Sequence, residues 1–381
     1  MTSASEALRV SVIGVGQRGG LYAQALAGGE VPGAVLASVC DIDVTRLEPF
    51  AGVRRFSDAR ELLTSGGHDA VVIATPHSEH ADVAALALEL GQHVFLEKPI
   101  GVDKAECEGL LAAYERRPRR EQVFATALVL RADPRFVSLR SLLQGGELGT
   151  LRRIAWILTD SFRSDAYYRA SDWRGTWRGD GGGLLMNQCL HQLDLWQWLF
   201  GVPRSVHAFL GFGRFHDIEV EDQVTAYFAQ PGGATGVFVA TTGEAPGTNR
   251  LEVAGDLGKV VIEGDSLAHY RNPASTVELI RSAGPKTGRP PASYRETEYV
   301  RPERHHVSSL ANFVAAARGG AELLAPGVEG ASSVELANAL YLSAFQGRTV
   351  TLPIDADEFR SARLSRIADD EALDDCRRTA E

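Results

Sequence analysis

A glycine-rich turn between an apolar strand and a helix limits the folds that this chain can adopt. Residues 8–13 predict a short strand and residues 21–27 predict a helix. The turn between them reads Gly14, Val15, Gly16, Gln17, Arg18, Gly19. In such a turn the first glycine permits a tight bend, the second lets a ligand approach the backbone, and the third lets helix and strand pack closely. Because free N–H groups at a helix start bind phosphate, this order predicts a dinucleotide-binding fold that uses residues 14 and 16–19.

An acidic residue follows the next predicted strand, residues 35–40. Asp41 stands at the end of that strand, and Ile42 follows it. A carboxylate there accepts hydrogen bonds from the ribose hydroxyls and repels a 2′-phosphate, so we expect NAD in preference to NADP. Arg18 and Arg46 lie nearby in the sequence and can accommodate that phosphate, so NADP stays an alternative cofactor. The alternative for Asp41 is a helix cap or a solvated turn acid.

Strands and helices alternate over the rest of the first 130 residues. The predicted strands are 70–74, 94–96 and 123–129. The predicted helices are 59–65, 79–90 and 104–116, the last capped by Asp103. Such alternation is typical of an α/β fold with a doubly wound parallel sheet, a Rossmann domain.

Glu97, Lys98 and Pro99 close the apolar strand at residues 94–96. Open α/β sheets bind ligands at the carboxyl ends of their strands, and a proline there fixes the backbone, so Lys98 is expected to point into a cleft. The alternative is a strand followed by a turn with solvated charges.

The neighbouring strand ends in Ala74, Thr75 and Pro76, followed by His77 and His80. We expect all five residues to contact the cofactor, together with Glu97 and Lys98. The two histidines lack further partners at the spacing of a zinc motif, so no metal is expected.

From residue 150 the pattern changes to strands separated by glycine-rich turns. The predicted strands are 151–158, 205–211, 223–228, 235–241, 250–253, 259–263, 276–280 and 349–352. The predicted helices are 133–144, 308–317 and 328–346. This pattern predicts a second α/β domain with a large, mostly antiparallel open sheet. Residues 271–306 are expected to form an exposed excursion, and residues 355–381 a charged surface tail.

A further predicted helix, residues 184–200, carries polar side chains in an otherwise apolar stretch. Asn187, His191 and Asp194 recur at i, i+4 and i+7, which places them on one helix face. A histidine there can serve as the general base for an alcohol. The alternative is a buried histidine whose hydrogen bonds are satisfied by Asp194.

Tyr168, Trp173 and Arg174 belong to an aromatic and arginine-rich loop just upstream of that helix. Such side chains stack on sugar rings and bind hydroxyl groups, so these three are candidate substrate contacts. An ordinary contact between domains is the equally weighted alternative.

Charge and cysteine content exclude several classes of partner. The 381 residues carry a formal net charge of −10, which disfavours binding to nucleic acid or to an anionic membrane. The four cysteines show no Cys-x-x-Cys spacing, and we find no signal peptide and no membrane-spanning run. We therefore expect a cytoplasmic enzyme with reduced thiols.

Together these motifs resemble the glucose–fructose oxidoreductase, inositol dehydrogenase and MocA (Gfo/Idh/MocA) family. The resemblance rests on the turn at Gly14–Gly19, on Ala74-Thr75-Pro76 with His80, on Glu97-Lys98-Pro99, on the glycine run that leads into residues 184–200, and on the closing helix and strand. It implies an NAD-binding domain at residues 1–130, a substrate and oligomerisation domain at 131–354, and a tail at 355–381. It also implies oxidation or reduction of a ring hydroxyl of a sugar, sugar derivative or cyclitol.

The resemblance assigns Lys98 and His191 as the catalytic lysine and histidine. His191 would remove the proton of a ring hydroxyl, Lys98 would donate to the reacting oxygen, and Asp194 would orient His191. Asn187 stands where many relatives place an aspartate, and would bind a substrate hydroxyl or fix the imidazole. Together with Lys98, Tyr168, Trp173 and Arg174, residues 187 and 191 are the expected substrate contacts.

Three further expectations concern the reaction and the assembly. A redox-neutral reaction on a glycoside with tightly bound, recycled NAD is one alternative to a dehydrogenase, and a non-catalytic NAD sensor is the other. Because the predicted sheet of the second domain has too few helices to cover both faces, a homodimer or homotetramer is expected.

Overall fold

The structure is a computed structural model that describes residues 7–282, 291–300 and 305–380. These residues divide into two compact units, each discontinuous in sequence. The first unit holds the described residues of Met1–Arg131, Arg178–Gly181 and Glu303–Val334. The second holds the described residues of Ala132–Trp177, Gly182–Pro302 and Glu335–Glu381. Among the described residues, no helix is both long enough and apolar enough to cross a membrane.

The first unit opens with alternating strands and helices. In chain order these are β1 (Leu8–Ile13), α1 (Gln17–Ala27), β2 (Ala34–Cys40), β3 (Arg54–Phe56), α2 (Ala59–Thr64), β4 (Ala70–Ile73), α3 (His80–Glu89), β5 (His93–Leu96), α4 (Lys104–Glu115) and β6 (Phe124–Thr126). Over the described residues the strands form one parallel sheet in the order β3-β2-β1-β4-β5-β6. This is the strand order of a Rossmann fold, so the predicted doubly wound sheet is confirmed.

The second unit is built on a larger sheet. Its elements up to residue 300 are α5 (Pro134–Gln144), β7 (Leu151–Leu158), α6 (Asp165–Arg169), α7 (Leu190–Phe200), β8 (Ser205–Phe212), β9 (Glu221–Ala229), β10 (Thr235–Thr241), β11 (Asn249–Gly255), β12 (Gly258–Glu263), β13 (Ser266–Arg271), α8 (Thr276–Arg281) and β14 (Ser293–Glu298). The remaining elements of the chain are α9 (His305–Ala317), which belongs to the first unit, α10 (Gly330–Gln346), β15 (Val350–Thr351) and α11 (Ala356–Ala380).

The strand order of this second sheet is β14-β13-β12-β11-β7-β10-β9-β8-β15. Its pairs are antiparallel except for β7 and β10, which run parallel. The predicted mostly antiparallel sheet is therefore confirmed.

The core of the second unit forms where α7 packs on the sheet. Trp196 is fully buried, and its ring centroid lies 4.5 Å from that of Phe228 and 6.5 Å from that of Phe238. A Cβ at Gly236 would lie 2.4 Å from the Trp196 ring, so only glycine fits this strand position. One face of the sheet is thus covered by a helix.

Two predicted elements differ from the structure, one in where it starts and one in its type. The helix expected at residues 184–200 begins only at Leu190, and residues 184–189 form turns, so Asn187 lies outside the helix. The strand expected at residues 276–280 is the helix α8, because the Ser275 side chain accepts the backbone N–H of Glu278 and caps it.

Three further segments differ from expectation in extent. The strand expected at residues 123–129 is limited to β6, and a 3₁₀ helix follows at Val129–Ala132. The excursion expected at residues 271–306 contains β14, which pairs with β13; residues 283–290 and 301–304 lie outside the described residues. The segment expected to be a surface tail forms the helix α11. Its Phe359 is fully buried and stacks against Tyr341, because an apolar side chain in this otherwise charged segment packs against α10.

Candidate active site

The glycine turn after β1 leaves room for a ligand at one position and none at the other two. Gly14 has a φ of +81°, and a Cβ there would lie 2.6 Å from the Ala74 carbonyl oxygen. A Cβ at Gly19 would lie 1.7 Å from the Gly14 carbonyl oxygen. At Gly16 the only atom within 4 Å of a Cβ, among the described residues, would be Arg46 Nη1 at 3.4 Å. The space beside Gly16 therefore stays open to a bound group.

Helix α1 starts directly after Gly16, which has no side chain with which to cap it. The N–H groups of Gln17, Arg18 and Gly19 lie in the first turn, where the partial positive charge of the helix attracts an anion. This end of the helix fits a pyrophosphate, as dinucleotide-binding turns require.

Asp41 lies at the carboxyl end of β2 and is buried. Its Oδ2 accepts the Val15 N–H at 2.9 Å, and its Oδ1 accepts the Asp43 N–H at 2.9 Å. Each carboxylate oxygen keeps a further lone pair, so Asp41 can still accept ribose hydroxyls. The next residue, Ile42, is 88% exposed.

The two arginines that could accommodate a 2′-phosphate have acidic partners. Arg46 lies 3.6 Å from Asp41 Oδ2 and 3.3 Å from Asp43 Oδ2, and Arg18 Nε lies 3.9 Å from Glu97 Oε1. Both guanidinium groups therefore lie beside carboxylates, and Arg46 partly neutralises Asp41 itself.

His80 joins the ends of β4 and β5. Its Nδ1 lies 2.6 Å from the Pro99 carbonyl oxygen, and its Nε2 lies 2.9 Å from the Thr75 carbonyl oxygen. Complete burial lowers the pKa of His80 to about 4, against the two carbonyl contacts that favour the charged ring. His80 therefore ties Thr75 to the segment just after Lys98, and both of its ring nitrogens face protein atoms.

Glu97 is the centre of a buried hydrogen-bond cluster that precedes Lys98. Its Oε1 accepts the Tyr22 hydroxyl at 2.6 Å, and its Oε2 accepts the Lys98 backbone N–H at 3.2 Å. His306 Nδ1 lies 3.4 Å from the same hydroxyl. Burial lowers the pKa of His306 to about 4, and the charges of Arg18 and His305 lower it further. Burial raises the pKa of Tyr22 well above its usual range. The half-buried Lys98 thus extends from a fixed backbone.

His77 pairs with a buried aspartate. Its Nδ1 lies 3.2 Å from Asp180 Oδ1 and 3.1 Å from the Asp180 carbonyl oxygen, and both residues are buried. Over the described part of the chain, no group of three or more histidine, cysteine or acidic side chains is placed to hold a metal ion. The pairing gives His77 a structural partner.

In the second unit, the turns before α7 are held by the buried carboxylate of Glu221. Its Oε2 accepts the Gly183 N–H at 3.0 Å, and its Oε1 accepts the Leu185 N–H at 2.7 Å and the Tyr341 hydroxyl at 2.8 Å. A Cβ at Gly183 would lie 2.2 Å from the Glu221 carbonyl oxygen. Complete burial raises the pKa of Glu221 to about 7. Glu221 therefore fixes the segment that leads to Asn187 and His191.

His191 is the second residue of α7 and is half-buried, and Asp194 lies one turn further along the same helix face. Asp194 is 1% exposed, and its Oδ1 accepts the Gln197 side-chain amide at 2.9 Å. Asn187, in the preceding turns, donates to the Tyr167 hydroxyl at 3.4 Å. The structure thus places Asn187 near α6 and beside the start of α7.

The three loop residues predicted to bind substrate lie close together in sequence but differ in environment. Burial raises the pKa of Tyr168 to about 12, and its hydroxyl lies 3.4 Å from Thr242 Oγ1. The Arg174 guanidinium lies 5.0 Å from the Trp173 ring centroid. Trp173 and Arg174 are half-buried.

Sequence reasoning missed Tyr22, His306, Asp180 and Glu221. Their partners lie far away in the chain: 75 residues separate Tyr22 from Glu97, and 36 separate Glu221 from Leu185. The one available signal was the acidic pair Glu221-Asp222 at the start of an apolar strand, since buried acids need donors.

Two family models match the chain. The oxidoreductase family with an NAD-binding Rossmann fold matches residues 8–125, and the GFO/IDH/MocA C-terminal domain matches residues 136–261. The chain therefore belongs to the Gfo/Idh/MocA family of NAD-binding oxidoreductases, and the predicted resemblance is confirmed.

Relatives at modest identity include named dehydrogenases. Inositol 2-dehydrogenase of Rhizobium meliloti is 26% identical over 355 residues, which cover 91% of this chain and 99% of that protein. Trans-1,2-dihydrobenzene-1,2-diol dehydrogenase of Bos taurus is 30% identical over 231 residues, which cover 58% of this chain and 64% of that protein. The match thus spans a little less than two thirds of the bovine enzyme.

A solved structure extends the likeness to the whole fold. The crystal structure of the WlbA dehydrogenase from Bordetella pertussis, in complex with NADH and UDP-GlcNAcA, matches with a TM-score of 0.76 at 27% identity. The match covers 92% of this chain and 100% of that chain.

Asp41 should set the choice between the two nicotinamide cofactors. We expect wild type to bind NAD more tightly than NADP, and Asp41→Ala to narrow that ratio by about 10-fold or more, because a charge close to the 2′-phosphate is removed. Titration of both cofactors by calorimetry measures the ratio. Glu89→Gln, at an exposed acid at the end of α3, is the matched control. Wild type that binds NADP equally well or better would contradict the assignment.

Glu221 should make the stability of the protein depend on pH. A pKa raised from 4.5 to about 7 stabilises the fold below pH 4.5, and this stabilisation is lost as the pH rises through 7. Between about pH 5 and 8, wild type should lose this stabilisation and Glu221→Gln should not. The free energy of unfolding of the variant, relative to that of wild type, should therefore rise by on the order of 1–3 kcal/mol over this range. Urea unfolding at both pH values measures this. The exposed Glu298→Gln should follow wild type, and a Glu221→Gln difference that does not change with pH would refute the claim.

Proposed function

We propose that this protein is an NAD-dependent oxidoreductase that acts on a ring hydroxyl of a sugar, a sugar derivative or a cyclitol. The observation that carries the proposal is the shared position of the cofactor elements. Gly14, Asp41, Thr75 and Lys98 follow β1, β2, β4 and β5, so all four lie at the carboxyl edge of one parallel sheet. That edge is where doubly wound sheets bind their ligands.

The cofactor would be held by the first unit. The N–H groups that start α1 would bind the pyrophosphate, the open space at Gly16 would admit it, and Asp41 would bind the adenosine ribose. When bound, NAD supplies the acceptor for the hydride of the oxidised carbon. The names of the relatives, inositol and dihydrodiol dehydrogenases, support ring hydroxyls as the substrate class.

Lys98 and His191 would carry the proton chemistry. Neutral His191 would accept the proton of the substrate hydroxyl, which requires a ring that is not already protonated. The Lys98 ammonium group would donate a hydrogen bond to the same oxygen and stabilise its developing negative charge. Glu97 would position Lys98 through its backbone, and Asn187 would bind a neighbouring hydroxyl.

The assembly and compartment are part of the same proposal. Phe209, Tyr227 and Val237 lie on the sheet face opposite Trp196, and they are 69%, 46% and 41% exposed. Apolar side chains on an open sheet face favour pairing with a second copy of the chain. Cys40 is a free, buried thiol, which fits a reducing compartment such as the cytoplasm.

Lys98→Ala should remove most turnover and leave NAD affinity largely intact. Loss of one charged donor to the reacting oxygen should lower kcat by about 100-fold or more. Steady-state kinetics with a sugar or cyclitol that the wild type oxidises, together with NAD titration, measures both effects. Lys104→Ala, in the neighbouring helix α4, is the matched control. Near-normal kcat in Lys98→Ala would remove this residue from the mechanism.

The open sheet face should hold the copies of the chain together. We expect wild type to be a dimer or tetramer by light scattering at micromolar concentration, and Phe209→Glu to dissociate it, because a buried charge without a partner is costly. Ile280→Glu, at a position that is 82% exposed on α8, is the control and should keep the wild-type assembly. A monomeric wild type would contradict this proposal.

A further inference from the structure

Two arginines in the second unit lie over the same aromatic ring. The guanidinium carbon of Arg163 lies 4.9 Å from the ring centroid of Tyr167, and that of Arg174 lies 4.8 Å from it. All three side chains are half-buried. Tyr167 belongs to α6, and the arginines flank that short helix in sequence. Stacking on a tyrosine holds a guanidinium in place and leaves the N–H groups at its edge free to bind a planar anion.

Among the described residues, neither arginine forms an ion pair with a carboxylate. Arg163 Nη1 binds the carbonyl oxygens of Ser161 and Phe162, at 3.3 and 2.9 Å. Arg174 Nη1 binds Ser171 Oγ at 3.2 Å. The Nε atoms of both arginines are buried and have no hydrogen-bond partner among the described groups.

The neighbouring Arg169 shows the contrast. It is 74% exposed and lies 3.7 Å from the carboxylate of Asp165. The arginine that is open to water therefore has an acidic partner, whereas the two half-buried ones have none in the described part of the chain. Two like charges beside one ring repel each other, and burial strengthens that repulsion. A bound anion would relieve it.

This arginine pair is connected to a residue that we propose contacts substrate. The Tyr167 hydroxyl accepts the side-chain amides of Asn187 at 3.4 Å and of Gln188 at 3.3 Å. An anion bound by the two guanidinium groups would therefore sit beside Asn187, at the turns that lead into His191.

We propose that Arg163 and Arg174 bind an anionic group of the substrate, a carboxylate or a phosphate. This inference rests on the proposed function and narrows its substrate class to sugars, sugar derivatives or cyclitols that carry an acidic group. Guanidinium groups bind both anions through paired, charge-assisted hydrogen bonds. A purely structural clamp on Tyr167 is the competing explanation, and it requires no anion.

The test is equilibrium binding to the full chain loaded with NAD, so that it does not depend on turnover. The probes are D-glucuronate, D-glucose 6-phosphate and neutral D-glucose, titrated by calorimetry at low and high salt. We expect at least one anionic probe to bind about 10-fold or more tightly than glucose, with an affinity that falls as salt rises. Preference for glucuronate would identify the group as a carboxylate, and preference for the phosphate ester would identify it as a phosphate.

Substitutions then assign the effect to the two residues. Arg163→Gln and Arg174→Gln should each lower the affinity for the anionic probe by about 10-fold more than they lower the affinity for glucose, and Arg174→Lys should recover part of the loss. Arg169→Gln is the matched control and should bind the probes as wild type does. Retained NAD affinity would show that each variant is folded.

Three results would overturn the proposal. They are equal binding of glucose and both anions, no binding of either anion, and variants that lose affinity for NAD instead of the anionic probe. Failure of the proposed function looks different: anions would bind at Arg163 and Arg174, yet no sugar would reduce NAD.

Discussion

Beyond the end of a strand, a buried backbone N–H group has no strand partner and needs another hydrogen-bond acceptor. In this protein, buried carboxylates supply that acceptor at the ends of several strands. Asp41 accepts the N–H groups of Val15 and Asp43, and Glu97 accepts that of Lys98. In the second unit Glu221 accepts those of Gly183 and Leu185. The turn after β1, the backbone at Lys98 and the turns before His191 are therefore each fixed by a buried acid.

Asp222, beside Glu221, also accepts backbone N–H groups, on the opposite side of the strand. Its oxygens accept the N–H groups of Arg214, Phe215 and His216, and the His216 ring stands 3.1 Å from one of them. The ring of Tyr168 lies 4.9 Å from that of His216. Because neighbouring strand residues point to opposite faces, one acidic pair supports both the turns before His191 and the environment of Tyr168.

These buried acids hold the backbone around the two proposed catalytic residues, Lys98 and His191. A lysine or histidine acts efficiently when its backbone is held before substrate arrives, since no free energy is then lost in ordering it. Glu97 accepts the backbone N–H of Lys98 and is itself held by the Tyr22 hydroxyl. His80 connects the segment after Lys98 to Thr75. Glu221 holds the turns that precede His191.

Local patterns in the sequence predicted the sheet, and distant contacts account for what they missed. The strand–turn–helix at residues 8–27 and the alternation after it are local signals, so the Rossmann domain followed directly. The sequence predicts residues 184–189 as the start of the helix, but Glu221 of strand β9 accepts the N–H groups of Gly183 and Leu185 and holds this segment in turns. The apolar pattern at residues 276–280 suggested a strand, whereas the Ser275 cap made it a helix. The hydrogen bond from Tyr22 to Glu97 joins residues 75 positions apart, and no local pattern encodes it.

The most direct test of the central claim is to add NAD and a panel of sugars, sugar acids and cyclitols to the purified protein and follow the absorbance of reduced nicotinamide. The proposed function predicts that NADH accumulates with at least one ring-hydroxyl substrate and not in its absence. NAD that binds but is not reduced by any member of the panel would contradict that function and favour a redox-neutral enzyme or an NAD sensor.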